Sequence, residues 1–274
     1  MTATRDLAKH ACETYYFHAA IGMDVVEDSF CSSLQDTDHP DVWDRNRIFD
    51  ITARTGAEID KTMAFASAKA NLVGYSYIST TPFTSPAVIA RLLLDDYQER
   101  TPVIQMVLQG ELAASRPPGF RIQPVSTDRD WRLLYELVRA DHSEGARTQG
   151  HILDAQVTRG IVDGYRGKAG PCQFFLASLD EEHCAYGSAT TAPNGMGMVE
   201  DLFTLPSFRR QGVATALISA CVEHLRQNAC EDILIGSLAT EPPKALYRKI
   251  GFQPVCVTRS FLKQNLKDAS ANSA

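Results

Sequence analysis

The stretch 199–217 constrains the fold of this chain more than any other. Val199 to Thr204 is apolar and alternating in the manner of a strand, and Leu205-Pro206 ends that strand. Apolar residues with helical spacing follow Gly212. The first backbone N–H groups of a helix have no partner within it, and the helix dipole makes that end positive. The sequence therefore predicts an anion site in the loop before this helix.

The spacing in this loop decides between known kinds of anion site. A Walker loop would need Lys-Ser or Lys-Thr after its last glycine, and a dinucleotide fingerprint would need three spaced glycines. Residues 209–214 instead read Arg-Arg-Gln-Gly-Val-Ala, which resembles the Arg/Gln-x-x-Gly-x-Gly/Ala element of the GCN5-related N-acetyltransferases, the GNAT family. An ordinary arginine-rich turn before a helix would show the same short pattern, so a second match is needed.

That second match lies at residues 245–252, which read Ala-Leu-Tyr-Arg-Lys-Ile-Gly-Phe. Prolines before this run and Gly251 near its end predict a short helix. It follows the continuous apolar run 233–235, which is typical of a parallel strand covered on both faces. The two elements occur in the order that the GNAT family has, and the resemblance covers about residues 120–262. The family often has asparagine before this helix, where Thr240 and Glu241 stand here.

The resemblance implies an acyl-CoA co-substrate, most often acetyl-CoA, and a site for it. It implies that Tyr247 lies beside the CoA sulfur and can donate a proton to the leaving thiolate. It also assigns the pantetheine and pyrophosphate contacts to the strand end and the loop: Leu202, Phe203, Thr204, Arg209, Arg210, Gln211, Gly212, Val213, Ala214 and Thr215.

A carboxylate on the same strand is the candidate for accepting the proton of an amine. Acyl transfer to an amine needs a deprotonated amine, a polarised carbonyl and an acid for the thiolate. Glu200 could accept the amine proton, directly or through water. Asp201 should face the other side of the strand, since alternation lets only one of two neighbours reach a cleft. A solvated carboxylate at a strand edge has the same appearance in the sequence.

The rest of the second half fits an α+β fold with a mixed sheet. We predict strands near 173–178, 184–191 and 196–204, with a hairpin at Asn194-Gly195. A helix capped by Thr127 and Asp130 should end near Asp141. The polar stretch 142–151 should then be a loop before a helix at 153–165. The family resemblance implies that this loop lines the acceptor site, although an ordinary exposed loop would read the same.

The first half resembles a degenerate copy of the same fold, in the manner of tandem GNAT proteins. Its predicted order is helix 6–19, a short strand at 48–51, helix 55–70, strand 75–80, helix 86–94 and strand 101–108. It lacks the Arg/Gln-x-x-Gly-x-Gly/Ala run, and Asp95-Asp96 stands where the family has Gly-Phe. This half should not bind CoA. We place the domains at 1–115 and 120–265, with linker 116–119 and polar tail 266–274.

Composition narrows the class of protein. The 274 residues carry a formal net charge of −6, which argues against a nucleic-acid partner. No apolar run predicts a membrane segment or signal peptide, so we expect a cytoplasmic protein. The 7 cysteines are scattered and predict neither disulfides nor a metal site.

The function expected from these features is acyl transfer from CoA to a primary amine by direct attack in a ternary complex. The acceptor could be a small molecule or a peptide, and a homo-oligomer is possible. Two alternatives stay open at this point: a non-catalytic acyl-CoA-binding regulator, and an enzyme of the same fold that transfers another acyl group or decarboxylates an acyl-CoA.

Overall fold

The structure is a computed structural model that describes residues 2–149 and 154–264. Gly150 and His151 of the predicted acceptor loop, and the predicted polar tail 266–274, lie outside the described residues. The helices and strands are, in chain order, α1 (Thr2–Ala20), β1 (Asp24–Glu27), β2 (Ser32–Gln35), β3 (Ile48–Phe49), α2 (Gly56–Val73), β4 (Tyr75–Thr80), α3 (Pro86–Leu94), β5 (Gln98–Glu99), β6 (Val103–Leu108), β7 (Phe120–Pro124), α4 (Asp128–Gln149), α5 (Ala155–Gly167), β8 (Cys172–Leu179), β9 (Glu182–Thr191), β10 (Gly197–Thr204), α6 (Val213–Gln227), β11 (Ile233–Leu238), α7 (Pro243–Lys249) and β12 (Gln253–Gln264).

The chain divides into two compact units that are not contiguous in sequence. The larger unit comprises 2–22, 105–237 and 241–255, and the smaller unit comprises 23–104, 238–240 and 256–264. Each unit is thus assembled from segments that are distant in the chain. Helix α1 belongs to the larger unit, where Ala11 is buried beside Val107 and Met198. The end of β12 belongs to the smaller unit, whose core contains Phe261. Apolar burial, not chain order, decides where these segments pack.

The larger unit is built on a mixed sheet with strand order β6-β11-β10-β9-β8-β7. Strands β7 to β10 are antiparallel neighbours, whereas β10 and β11 are parallel. The predicted strands and the parallel strand after the loop are therefore confirmed. Asp180 and Glu181, which join β8 to β9, both have positive φ angles of 50° and 70°, as a tight hairpin turn with right-handed twist requires.

Helix α4 begins as predicted but does not end as predicted. Thr127 Oγ1 accepts the Asp130 N–H at 3.2 Å and Asp130 Oδ2 accepts the Thr127 N–H at 2.9 Å, which is a reciprocal cap. The helix then continues to Gln149, so the predicted loop is wrong where it falls on 142–149. Packing against α5 explains the extension, because His142 Nδ1 lies 2.9 Å from Thr158 Oγ1 and both groups are satisfied there.

Helix α6 buries the face that its spacing predicts. Val213, Leu217, Cys221 and Leu225 are all buried. Their contribution is hydrophobic, at about 1.5–3 kcal/mol for a large aliphatic side chain fully removed from water. This face holds the helix firmly on the sheet, so the position of its amino end is determined by the packing of the whole helix.

The smaller unit has the strand order β1-β2-β3-β4-β12, and β5 also pairs with β12. Trp43 is half-buried against the rings of Tyr75 and Tyr77, with centroids 6.2 and 6.1 Å away. Asn46 accepts from the Asp36 N–H at 2.8 Å and donates to the His39 carbonyl at 3.2 Å. The tryptophan and the asparagine at this turn thus have structural roles, in ring packing and in backbone hydrogen bonding.

Within 2–149 and 154–264, none of the helices has both the length and the apolar character of a membrane span. The same residues contain no group of three or more His, Cys, Asp or Glu side chains arranged to hold a metal ion.

Candidate active site

Strands β10 and β11 separate at the point where the candidate site begins. Their parallel pairing runs from Gly197 with Ile233 to Val199 with Ile235, but β10 continues to Thr204. On its other side β10 still pairs with β9 at Phe203 and Thr204. Leu202, Phe203 and Thr204 thus form a strand segment beyond the parallel pairing. Such a segment can offer backbone hydrogen bonds to an extended ligand.

The loop after β10 leads directly into helix α6. Gly212 is the residue before the first turn, and its φ of 85° is a left-handed conformation that glycine adopts at little cost. Because glycine has no side chain, it cannot cap the first N–H groups of the helix, those of Val213, Ala214 and Thr215. The helix start therefore leaves these N–H groups without a side-chain cap.

The two arginines of the loop differ in their surroundings. Arg209 forks onto Glu144 of α4 at 2.7 and 2.5 Å, and its Nε donates to the Thr204 carbonyl at 2.9 Å. A two-bond arginine–carboxylate pair is geometrically specific, so Arg209 joins the loop to α4. Arg210 is exposed and has a positive φ of 64°. Gln211 donates its side-chain amide to the Ser207 carbonyl at 2.9 Å and thereby braces the loop.

Tyr247 lies on the short helix α7 and is only 7% exposed. Its ring packs near Phe252, with centroids 6.3 Å apart. Burial, and then the negative charges of Glu200 and Glu241, raise the pKa of the Tyr247 phenol far above its ordinary value. The phenol is therefore protonated at neutral pH and can act as a hydrogen-bond donor.

The charge of Glu200 acts on Tyr247, so the two residues that the sequence predicts as catalytic share one neighbourhood. They come from β10 and α7, which are far apart in the chain. The structure thus brings together the predicted acid and the predicted base.

Strand β10 contains a bulge between Glu200 and Phe203, which interrupts its regular pairing with β9. Asp201 has a positive φ of 54°, and its Oδ2 accepts the Ser188 hydroxyl of β9 at 3.0 Å. Gly187 accommodates the bulge, since a Cβ there would come within 2.6 Å of the Leu202 side chain. Bulges re-aim side chains in this way, and the sequence pattern does not reveal them.

Four polar residues that the sequence analysis did not single out as a group form a chain inside the larger unit. Tyr186 donates to Asp141 Oδ2 at 3.1 Å and is within hydrogen-bonding reach of Tyr165, which in turn reaches Asp201. The four lie on α4, β9, α5 and β10, so no spacing rule in the sequence could have found them.

Comparison with known proteins agrees with this geometry. Residues 131–252 match the family model described as the acetyltransferase (GNAT) family. The chain carries a GNAT acetyltransferase domain. The match contains β10, the loop, α6 and Tyr247, which are the parts that form the candidate site. No curated protein matches the chain in sequence.

Solved structures share the fold over most of the chain. A GCN5-related N-acetyltransferase from Kribbella flavida has a TM-score of 0.65 at 15% identity, over 96% of this chain and 97% of that one. A tandem GNAT protein from the clavulanic acid biosynthesis pathway has a TM-score of 0.61 at 14% identity, over 88% and 82%. A conserved protein of unknown function from Staphylococcus epidermidis reaches 0.68 at 13% identity, over 89% and 95%. At these identities the likeness concerns the fold.

The α+β fold and the family resemblance predicted from the sequence are therefore confirmed. Residues 131–252 thus form an acetyltransferase domain of the GNAT type, and the fold of the chain is similar to that of a tandem GNAT protein.

Proposed function

We propose that the enzyme transfers an acetyl group from acetyl-CoA to a primary amine by direct attack in a ternary complex. The observation that carries this proposal is that β10 separates from β11 and then leads into helix α6. The residue before this helix is Gly212, which provides no side-chain cap for the first N–H groups. A strand segment and a helix start placed in succession fit a ligand that has an extended amide-containing arm and a pyrophosphate.

The binding roles follow from the chemistry of these groups. The backbone of Leu202 to Thr204 would bond the amides of the pantetheine arm. The N–H groups at the start of α6, from Gly212 to Thr215, would bind the pyrophosphate, and Arg210 would add positive charge. Arg209, already paired with Glu144, would hold the loop in shape more than contact phosphate.

The reacting groups would be Tyr247 and a carboxylate. Attack of the amine nitrogen on the thioester carbon breaks the C–S bond, and the phenol of Tyr247 gives its proton to the leaving thiolate. Glu200 is the carboxylate that the sequence suggests as proton acceptor, and its charge acts on this phenol. Its negative charge helps to keep Tyr247 protonated before the transfer.

Purified protein mixed with acetyl-CoA and a panel of amines tests the proposal. The panel should include a diamine, an aminosugar, a free amino acid and a peptide with a lysine. Release of free CoA thiol, together with a mass increase of the amine by one acetyl group, is the expected result.

Controls separate the alternatives. Thiol release without a modified amine would indicate hydrolysis, and propionyl-CoA and malonyl-CoA test for another acyl group or decarboxylation. Tight CoA binding with no thiol release from any mixture would contradict the proposed transfer and favour a regulatory acyl-CoA-binding protein.

A further inference from the structure

A chain of polar side chains crosses the interior of the larger unit and ends at Asp141. Asp141 Oδ2 accepts the hydroxyl of Tyr186 at 3.1 Å, Tyr186 is within hydrogen-bonding reach of Tyr165, and Tyr165 reaches Asp201. Polar groups in the interior are costly unless they are hydrogen-bonded. This series of hydrogen-bonded side chains therefore fixes the orientation of the Asp141 carboxylate.

The far end of this chain is also held in place. Asp201 accepts the Ser188 hydroxyl at 3.0 Å and lies 3.7 Å from Nε2 of His18 on α1. His18 is 5% exposed, and its Nδ1 lies 2.8 Å from the Thr190 hydroxyl. Lys168 Nζ lies 2.7 Å from the same Nε2. Besides Tyr165, Asp201 thus contacts Ser188 and His18, and these contacts hold its carboxylate in place.

The near end of the chain lies in the neighbourhood of the candidate acid. The charge of Glu241, which precedes α7, acts both on Asp141 and on Tyr247. The charge of Arg209, in the loop before α6, also acts on Asp141. Geometry supports the same placement. Glu144, one turn after Asp141 on α4, binds Arg209 of the loop, and the Tyr186 ring packs on Phe203 of the candidate strand segment, with centroids 5.9 Å apart.

We propose that Asp141 takes the proton from the ammonium group of the acceptor, and that Tyr186, held by Tyr165 and Asp201, positions Asp141 for this task. This inference rests on the proposed function and names a different proton acceptor from Glu200. The two carboxylates then have separate roles: Glu200 acts on Tyr247, and Asp141 acts on the acceptor amine.

The proton balance is simple. An N–H bond of the ammonium breaks and the proton goes to Oδ1 of Asp141, since Oδ2 already accepts from Tyr186. The freed nitrogen lone pair forms the bond to the thioester carbon, the C–S bond breaks, and the thiolate takes the proton of Tyr247. The acylated nitrogen then gives up its second proton, which returns through solvent to the Tyr247 phenolate, so the neutral amide and the CoA thiol leave. Asp141 returns its proton to water when the product leaves.

The electrostatics of Asp141 suit this role. Burial raises the pKa of Asp141 to about 6, the hydrogen bond from Tyr186 lowers it, Glu144 and Glu241 raise it, and Arg209 lowers it. These groups come from α4, β9, the loop before α6 and the segment before α7. Above pH 6 the carboxylate is charged, yet it is a stronger base than an ordinary aspartate. Burial also raises the pKa of Tyr186 far above its usual value, so this phenol keeps donating.

The pH dependence of kcat/KM tests the inference. For an amine that binds as ammonium, wild-type kcat/KM should rise to a plateau with an apparent pKa near 6. Asp141→Asn should lower kcat/KM at pH 7 by about 100-fold to 10,000-fold, the range for one general base. Its profile should then rise only toward the pKa of the amine itself, because only free amine reacts.

Tyr186→Phe provides a second variant whose effect has a defined direction. The hydrogen bond from Tyr186 lowers the pKa of Asp141, so its loss should move the acidic limb of the kcat/KM profile to higher pH. A purely structural defect would not produce this shift. Tyr135→Phe, on the same helix as Asp141 and packed at the edge of the same core cluster, is the matched control and should keep the wild-type limb. CoA affinity by calorimetry verifies that each variant is folded.

Each outcome is informative. Two results would overturn the assignment of Asp141 while leaving acetyl transfer intact. In the first, Asp141→Asn keeps the wild-type kcat/KM and the acidic limb of its pH profile. In the second, Glu200→Gln loses that limb instead. Wild-type protein that transfers acetyl to no amine would overturn the proposed function and this inference together.

Discussion

Helices α6 and α2 each connect two neighbouring parallel strands, and the residues at their amino ends differ. Helix α6 lies between β10 and β11, and helix α2 lies between β3 and β4. The start of α6 is Gly212, which leaves the first N–H groups without a side-chain cap. The start of α2 is Thr55, whose hydroxyl accepts the N–H of Glu58. The same strand–helix–strand unit therefore has a helix start without a side-chain cap in one half and a capped start in the other. We call the uncapped start of α6 the open end and the capped start of α2 the closed end.

The closed end of α2 is also negatively charged. The carboxylate of Glu58 accepts the N–H groups of Arg54 and Thr55 at 2.7 and 3.0 Å. These backbone hydrogen bonds lower the pKa of Glu58, so it is charged at neutral pH. A phosphate would meet both an occupied set of donors and a like charge at this end. We propose that the cap residues decide which of these two helix starts binds an anion.

The largest expected effect concerns the open end. Gly212→Glu should weaken CoA binding by more than about 100-fold, because a carboxylate and its side chain would occupy the place of the pyrophosphate. A Cβ at Gly212 would come no closer than 3.7 Å to Pro117, so the fold has room for it, although the φ of 85° adds some strain. Calorimetry with CoA measures the change.

The matched control for this variant is Gly56→Glu at the first residue of α2, where an added Cβ meets nothing within 4 Å. It should bind CoA like wild-type protein, with a stoichiometry of one per chain in both. A stoichiometry of two CoA per chain would contradict the contrast between the two helix starts. Wild-type CoA affinity in Gly212→Glu would also contradict it.

A smaller effect is expected at the tyrosines of the two units. Tyr247→Phe should lower kcat by about tenfold to 1,000-fold with little change in CoA affinity, if the phenol protonates the thiolate. Tyr97→Phe in the smaller unit removes a hydroxyl that donates to Ser76 Oγ at 2.9 Å. That change should reduce stability by about 1 kcal/mol and leave kcat unchanged. Steady-state kinetics and thermal unfolding distinguish the two results, and equal kcat values for both variants would assign Tyr247 to packing.

The smallest effect concerns the closed end. Glu58→Gln should lower the thermal stability of the smaller unit at pH 7 and leave CoA binding unchanged. Because the pKa of Glu58 is lowered in the folded state, its contribution is present above the ordinary glutamate pKa and is lost as pH falls through the lowered value. The difference in unfolding temperature between Glu58→Gln and wild type should therefore shrink below about pH 4. A difference independent of pH would show that the charge of Glu58 does not contribute.

The sequence by itself determined the elements near the loop and their order. The apolar spacing after Gly212 predicts α6, and the Pro-Pro and Gly-Phe that flank Tyr247 predict α7, because local patterns of burial and backbone preference are sufficient there. It also correctly predicted the parallel strand β11 from a continuous apolar run. These features depend on residues that are close together in the chain.

Only the tertiary structure decided which distant residues meet. Three features depend on contacts between remote segments. They are the bulge at Asp201, the extension of α4 past Asp141, and the packing of α1 in the larger unit and the end of β12 in the smaller one. Such contacts leave no periodic signal, since each side chain is chosen by what packs against it in space. The Asp141–Tyr186 hydrogen bond joins residues on α4 and β9, and the sequence contains both residues without any sign that they touch.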